Sequence, residues 1–512
     1  MNEKNLYKKR VILLIAFFSI VRLIIASFAD LGNDESYYWL YSQDLKWNYF
    51  DHPPMVAIWI RLFTANLLLE KFVVFLRLGS IVACGLSTWF MYKCVVTLST
   101  ERAGWFAACL YNASFYAGIT AGLFIFPDTP QMVFYTFSLW MLAKISLEED
   151  KWIPWICFGI GTGLCIMSKV HGVFIWIGSG LYILFIKRSL LTNIRLYAAL
   201  AIALVITSPI LIWNIQHDFL TYRFNSERII TKGFSLNRNS FFSALLAQFM
   251  INNPFNMAFI FLAFIGWRRY KMSAIPALSI YNFIGISLGL TVLFISLYRF
   301  TLPHWSGPAY ISLVPLASVW LAEASKKLIS RKLILLAFGG NLIFLAGCIL
   351  AINYYPGTFG DKTKDELGKG DVTLDMYGWE EAGKKFALIY ADEVKKGIMQ
   401  KNSPVVCNTW WGAHDEYYFC RASGIQMIGL GSITDLHEYI WMNEKRKDKV
   451  NFSTAYCIVH SDENYNVYER YGNFYSRIDT AAVIEVSRSK TPSHNFYILR
   501  LSGWKNQLPV AR

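Results

Sequence analysis

Repeated apolar runs of roughly 18 residues or more constrain this chain most, because a run of that length is read as a bilayer-crossing helix. About eleven occur, at 11–29, 72–96, 103–122, 129–146, 152–168, 171–187, 196–213, 243–266, 275–297, 304–322 and 333–353. With 55% of 512 residues hydrophobic and 17% aromatic, too little polar surface remains for an ordinary soluble protein. The expected architecture is a polytopic α-helical membrane protein over residues 1–353. The first run follows Lys8-Lys9-Arg10 and ends Ala26-Ser27-Phe28-Ala29, as a secretory leader does. It is longer than a leader's apolar core and more runs follow, so it is expected to remain as the first span.

A formal charge of +14 raises nucleic acid as a partner, but its distribution argues against one. With the N-terminus in the cytoplasm, the loops on that side receive Lys8-Lys9-Arg10, Arg102, Lys187-Arg188 with Arg195, Arg268-Arg269 with Lys271, and Lys326-Lys327 with Arg331-Lys332. Only the Glu148-Glu149-Asp150-Lys151 loop breaks this positive-inside pattern. The odd span count then puts the C-terminal region on the extracytoplasmic (periplasmic) side of the cytoplasmic, or inner, membrane.

The opposite side gathers reactive residues at the ends of the runs. The first outer loop, 30–71, carries Asp34 and Glu35 just after the first span, and Asp51-His52 before Pro53-Pro54. Asp34 and Glu35 precede an expected interfacial helix, Ser36 to Gln43. A carboxylate half-buried at such a surface suits proton abstraction, although acids also favour helix N-termini for structural reasons. Asp128 lies between Pro127 and Pro130, either as an ordinary turn residue or as an aimed carboxylate. Lys169, in Ser168-Lys169-Val170-His171-Gly172, is placed either to snorkel to headgroups or to neutralise a phosphate beside His52 or His171. Arg299 and His304 add a cation and an imidazole in the same plane.

Beyond 353 the composition changes. Gly357 to Gly370 reads as a linker, and Trp379 to Lys396 as an amphipathic helix. Short strands are expected near 404–408, 425–430, 454–460, 480–487 and 495–501, making 354–512 a small soluble α/β domain. Of nine cysteines, only Cys407, Cys420 and Cys457 fall here, and one disulfide among them would leave one thiol over. No Walker loop, GxGxxG or DxD is present, so no nucleotide-type substrate is indicated. The sequence requires no cofactor, and nothing in it supports a divalent metal.

Several segments match one family pattern: Asp34-Glu35-Ser36-Tyr37-Tyr38-Trp39, Tyr49-Phe50-Asp51-His52-Pro53-Pro54, Pro127-Asp128, Ser168-Lys169, Pro303-His304-Trp305-Ser306-Gly307-Pro308 and Tyr377-Gly378-Trp379. On these the chain resembles the C-type (GT-C) glycosyltransferase superfamily, in the branch similar to protein O-mannosyltransferases and the lipid A aminoarabinose transferase. The resemblance implies the GT-C fold and transfer from a polyprenyl-phosphate sugar donor on the outer face of the membrane. The acceptor would be a lipid, a glycan or a protein. Asp34 would match the catalytic base with Glu35 as its neighbour. Asp51 and His52 would match an acidic-basic pair near the donor phosphate, where the aminoarabinose branch has a lysine at the place of His52. Lys169 would match a phosphate-side lysine, and Asp128 a second outer-loop carboxylate. An inverting single displacement is implied, with cations on the leaving phosphate.

Two other classes compete. A transporter or lipid flippase would favour charges near the bilayer midplane and related halves, whereas Arg22 is the plain mid-span charge here and no half-to-half similarity is evident. A structural membrane anchor would not need so many spans.

Overall fold

A computed structural model describes residues 3–229, 236–270, 272–324, 329–463 and 466–505. Lys271, Lys326 and Lys327, read above as cytoplasmic anchors, lie outside the described residues. The chain forms two compact units: Met1–Ala26 with Leu45–Phe344, and Ser27–Asp44 with Leu345–Arg512.

The helices in chain order are α1 (Glu3–Ala26), α2 (Asn33–Gln43), α3 (Met55–Phe63), α4 (Val73–Leu98), α5 (Glu101–Ala113), α6 (Asp128–Leu147), α7 (Trp152–Ser168), α8 (Val173–Phe185), α9 (Ile194–Gln216), α10 (Leu220–Ile229), α11 (Arg238–Ile251), α12 (Pro254–Ile265), α13 (Pro276–Ser296), α14 (Gly307–Ala324), α15 (Ile329–Tyr354) and α16 (Trp379–Lys395). Each expected apolar run is occupied by helix. By length and composition, α4, α9, α13 and residues Lys332–Tyr354 of α15 are long and apolar enough to cross a membrane, among the described residues. The run 243–266 is not one straight helix. It divides into α11 and α12, bent by 95°. Asn253 there adopts φ +69°, and Pro254 cannot donate to the helical ladder.

The first unit is built from helix pairs such as α4 on α6, α6 on α7, α7 on α9 and α8 on α13. Gly178 of α8 shows why small residues belong at such contacts: a Cβ there would lie 2.4 Å from the Ile284 Cα of α13. Buried Leu110, Tyr135, Leu139, Tyr281, Ile284 and Leu316 form its centre, while Leu204, Val205, Leu211 and Ile212 of α9 face outward. Arg22 is 3% exposed and its charge is accommodated by polar partners. Its Nε donates to Gly118 O at 2.8 Å, and Nη2 to Asn112 Oδ1 at 3.2 Å. That carbonyl is in a π-helical turn, Tyr116–Thr120, whose altered ladder frees acceptors. The acidic 148–151 loop, the exception to the basic pattern, also finds its reason. Glu149 pairs with Lys187, and Asp150 with Arg195 at 3.4 Å.

The second unit contains a five-stranded sheet in the order β2-β1-β3-β5-β4, with β1 (Val405–Cys407), β2 (Met427–Gly429), β3 (Thr454–His460), β4 (Tyr475–Arg488) and β5 (Thr491–Trp504). β1 is parallel to β2 and β3, whereas β5 is antiparallel to β3 and β4. Ser489 and Lys490 both take positive φ, which closes the β4–β5 hairpin in two residues. Arg488, completely buried, donates to Gly357 O at 2.9 Å, Ile352 O at 3.1 Å, Thr373 Oγ1 at 2.7 Å and Asp371 Oδ2 at 2.9 Å. Asp371 also accepts from Thr358 Oγ1 and Phe359 N, each at 2.9 Å. The segment expected as a linker is therefore a folded part of this unit.

Residues 27–44 fold with this unit too. Leu31 N donates to Tyr418 Oη at 2.5 Å, and Leu31 O lies 2.9 Å from His414 Nε2. Tyr37 Oη meets His437 Nδ1 at 3.0 Å, and Asp44 pairs with Lys445 at 2.7 Å. Asp30 Oδ2 accepts from Trp379 N at 3.0 Å, serving the first turn of α16. All nine cysteines are free thiols, including Cys407, Cys420 and Cys457.

Candidate active site

In the first unit the antiparallel course of α6, α7 and α8 sets the chemistry. α6 begins at Asp128, α7 ends at Ser168, and α8 follows Gly172, so Asp128, Lys169 and His171 share one end of these helices. Lys169 Nζ donates to Asp128 Oδ2 at 2.7 Å, and the side chains are only 5% and 1% exposed. Tyr116 Oη donates to the other carboxylate oxygen, Oδ1, at 2.8 Å. Gln131 Nε2 holds the Lys169 carbonyl at 3.3 Å.

His171 and His304 lie within electrostatic reach of this pair, and His52 within reach of both imidazoles. The charges of Lys169, Asp128 and His52 act on both His171 and His304. The His304 ring lies 6.2 Å from that of Phe126, and the His171 ring 6.4 Å from that of Trp305. His171 Nδ1 is buried without a hydrogen-bond partner among the described residues. His52 Nε2 stands 3.9 Å from Asp51 Oδ2, with both side chains partly accessible. Four separate stretches of chain therefore bring His52, Asp128, Lys169, His171 and His304 together. Arg299 sits half-buried in the turn after α13, its backbone N–H donating to Ile295 O at 3.0 Å.

Sequence reasoning missed Tyr116 and the purpose of Gly307. A Cβ on Gly307 would fall 2.3 Å from the Tyr116 ring, so only glycine lets α14 approach the residue that holds Asp128. The Pro-His-Trp-Ser-Gly-Pro motif contained that signal, but a tyrosine inside an apolar run carried none.

Asp34 and Glu35 belong to the second unit, in the first turn of α2. Asp34 is exposed, whereas Glu35 is 1% exposed. Glu35 Oε2 accepts from Gly32 N at 3.0 Å, so this carboxylate closes the helix N-terminus. Next to it, Asp375 accepts from Asn33 N at 3.2 Å. Burial, opposed by that N–H but reinforced by Asp34, Glu35 and Asp462, pushes the Asp375 carboxyl up to about 7.

A family profile described as dolichyl-phosphate-mannose-protein mannosyltransferase matches residues 51–213, the window that contains Asp51, His52, Asp128, Lys169 and His171. The lipid A galacturonosyltransferase RgtD of Rhizobium johnstonii is 26% identical over 265 residues, 51% of this chain and 54% of that protein. The match thus spans about half the length of that relative. The crystal structure of ArnT from Cupriavidus metallidurans in the apo state superposes with a TM-score of 0.60 at 14% identity, covering 97% of this chain and 99% of ArnT. The same protein bound to undecaprenyl phosphate gives 0.61 at 15% identity, covering 96% and 99%. At such identities the likeness shows a shared fold.

Proposed function

We propose, for a chain whose family match, curated relative and fold all support the C-type glycosyltransferase superfamily, that it is an integral-membrane glycosyltransferase. It takes a sugar from a polyprenyl-phosphate donor and passes it to a lipid, glycan or protein of the cell envelope. The observation that carries this reading is the convergence of His52, Asp128, Lys169, His171 and His304 in the first unit. Lys169 is already neutralised by Asp128, so the pair serves as a rigid, correctly placed ammonium with donors to spare. The unsatisfied nitrogen of His171 has hydrogen-bonding capacity left for a phosphate oxygen. The outward apolar faces of helices such as α9 suit the surrounding lipid that such a donor requires.

In this reading the eleven helical runs cross the cytoplasmic membrane, with the N-terminus inside and the C-terminal region outside. Asp34 takes the proton of the acceptor hydroxyl, and Asp51 and His52 border the phosphate. Displacement at the anomeric carbon then inverts its configuration, and the lipid phosphate departs with its charge stabilised by cations and imidazole N–H groups.

The test is transfer by the purified protein from a synthetic polyprenyl-phosphate sugar to envelope extracts, with products identified by mass spectrometry. A protein that binds no polyprenyl phosphate and forms no glycosylated product would overturn the reading. An alkaline phosphatase fusion after residue 360 tests the orientation, and it should be active.

A further inference from the structure

The second unit contains a cavity of about 210 Å³ that the chemistry above does not use. Its wall includes Trp379, Trp411, Asp375, Asp462, Glu463 and His494. We propose that this cavity binds one hydroxyl-rich sugar ring that carries no negative charge, either neutral or bearing an amino group.

Aromatic surface is the first argument. Trp411 is 51% exposed, although a residue of this size normally finds cover. Trp379 is held rigidly at the wall, stacked on His414 with centroids 3.7 Å apart and donating Nε1–H to Leu374 O at 2.9 Å. A sugar's C–H face is an apolar surface that covers an indole without a net charge of its own.

Unsatisfied polarity is the second argument. His494 is 4% exposed, and its Nδ1 lies 3.1 Å from Ser493 Oγ while its Nε2 has no partner among the described residues. A buried polar atom without a partner is costly, and a ligand hydroxyl can either donate to it or accept from it. The Asp375 side chain is 42% accessible, accepts backbone N–H bonds from Asn33 and faces His414 Nδ1 at 3.9 Å, with oxygen lone pairs left for the cavity. Held up near neutrality by burial and by neighbouring carboxylates, this carboxyl can donate to one hydroxyl or accept from another.

Charge decides the class of sugar. Asp375, Asp462 and Glu463 share the wall, and Asp34 and Glu35 act on Asp375 from outside it. The cation at the wall is His460, whose imidazole pairs with Asp415 at 3.0 Å. Asp371 is neutralised by Arg488. Burial and neighbouring acids raise the Glu463 carboxyl as well, so a uronate or a phosphate would add one more acid to a crowded set, whereas a hydroxyl or an ammonium group is tolerated. The volume is below the roughly 300–1,000 Å³ of drug-sized sites, which limits the occupant to about one ring. This inference rests on the proposed glycosyl transfer only for the source of the ring, the donor's sugar or the acceptor's.

Saturation-transfer NMR on the full-length protein in nanodiscs provides the test, using methyl glycosides of a neutral hexose, an amino-hexose and a uronic acid. The neutral and amino glycosides should bind and the uronide should not. Trp411→Ala, at a half-exposed position, should keep the fold by circular dichroism and weaken binding by about three- to tenfold. Competition by a polyprenyl-phosphate sugar assigns the pocket to the donor, and competition by envelope lipid or glycan assigns it to the acceptor. No binding of any glycoside, equal binding of the uronide, or unchanged binding in Trp411→Ala would each overturn the proposal. Glycoside binding needs no polyprenyl phosphate, so binding without transfer would fault the proposed function and leave the pocket standing.

Discussion

Lys169 Nζ and Asp128 Oδ2 lie 2.7 Å apart with both side chains almost wholly buried, so neither charge can be removed without exposing the other. Lys169→Met should destabilise the protein by roughly 3–5 kcal/mol, because it leaves an uncompensated carboxylate. The double variant Lys169→Met, Asp128→Asn should recover most of that stability while donor use stays impaired. Thermal unfolding and donor binding on the single and double variants separate the two effects. A double variant that regains full donor use would reduce Lys169 to a structural cation.

Gly307→Ala should act on the same pair from a distance. The new methyl group has no room beside the Tyr116 ring, and displacing that ring breaks its bond to Asp128. Transfer should fall by about tenfold or more, since a hydrogen bond to a charged group contributes roughly 1.5–3 kcal/mol. Tyr116→Phe, which removes only the hydroxyl, should reproduce the loss. Activity in Gly307→Ala matching the parent protein would contradict this link.

Asp34 and Glu35 should separate cleanly. Asp34→Asn should lower turnover by roughly 10²–10⁴-fold with donor affinity nearly unchanged. Glu35→Gln should lower the melting temperature, because Glu35 closes the start of α2. Steady-state kinetics and differential scanning fluorimetry on both variants check this, and wild-type turnover in Asp34→Asn would remove it from the base role.

Arg488 should tolerate neither loss nor conservative exchange. Arg488→Met leaves Asp371 buried without its partner, at a cost of about 3–5 kcal/mol. Arg488→Lys keeps the charge but cannot reach the four oxygens now served by the guanidinium fork. Limited proteolysis should show earlier cleavage in the 357–370 segment in both variants, and parental resistance would refute the assignment.

Asp375 gives the second unit a pH dependence of definite sign. Its carboxyl titrates at about 7 when folded, against 3.8 for the ordinary group. Between those values the folded form keeps a proton that the unfolded form has released, so this residue lowers stability as pH rises through the window. Asp375→Asn should therefore raise the melting temperature more at about pH 8 than at about pH 5. An equal gain at both would show that the carboxyl is not held up.

The apolar runs made the helices legible, since length and hydropathy alone fix where a chain must satisfy its own backbone. Basic loops and the acidic exception at 148–151 were visible, but the pairing of Glu149 with Lys187 was not, because it joins loops far apart in sequence. The break at Asn253-Pro254 follows from proline chemistry, but the apolar run on both sides of it masks that signal. Strand positions came through because β1, β2 and β3 are short apolar runs buried on both faces of the small sheet. Asp128, Lys169 and the histidines stood out as polar residues at the ends of apolar runs. Tyr116 and Arg488 did not, since their roles depend on partners that tertiary packing supplies.

The membership of residues 27–44 in the second unit also sets a timetable for synthesis. Leu31 bonds to a tyrosine hydroxyl 387 positions later, and His414 reaches back across 383. At about 5–20 residues per second, Tyr418 emerges on the order of 20–80 s after Leu31. For most of that interval, until Asp375 is made, the tyrosine-rich α2 lacks the C-terminal partners described above. A ribosome that stalls late, or a message cut short before residue 414, yields a chain whose candidate base loop is made early and never receives His414 or Tyr418.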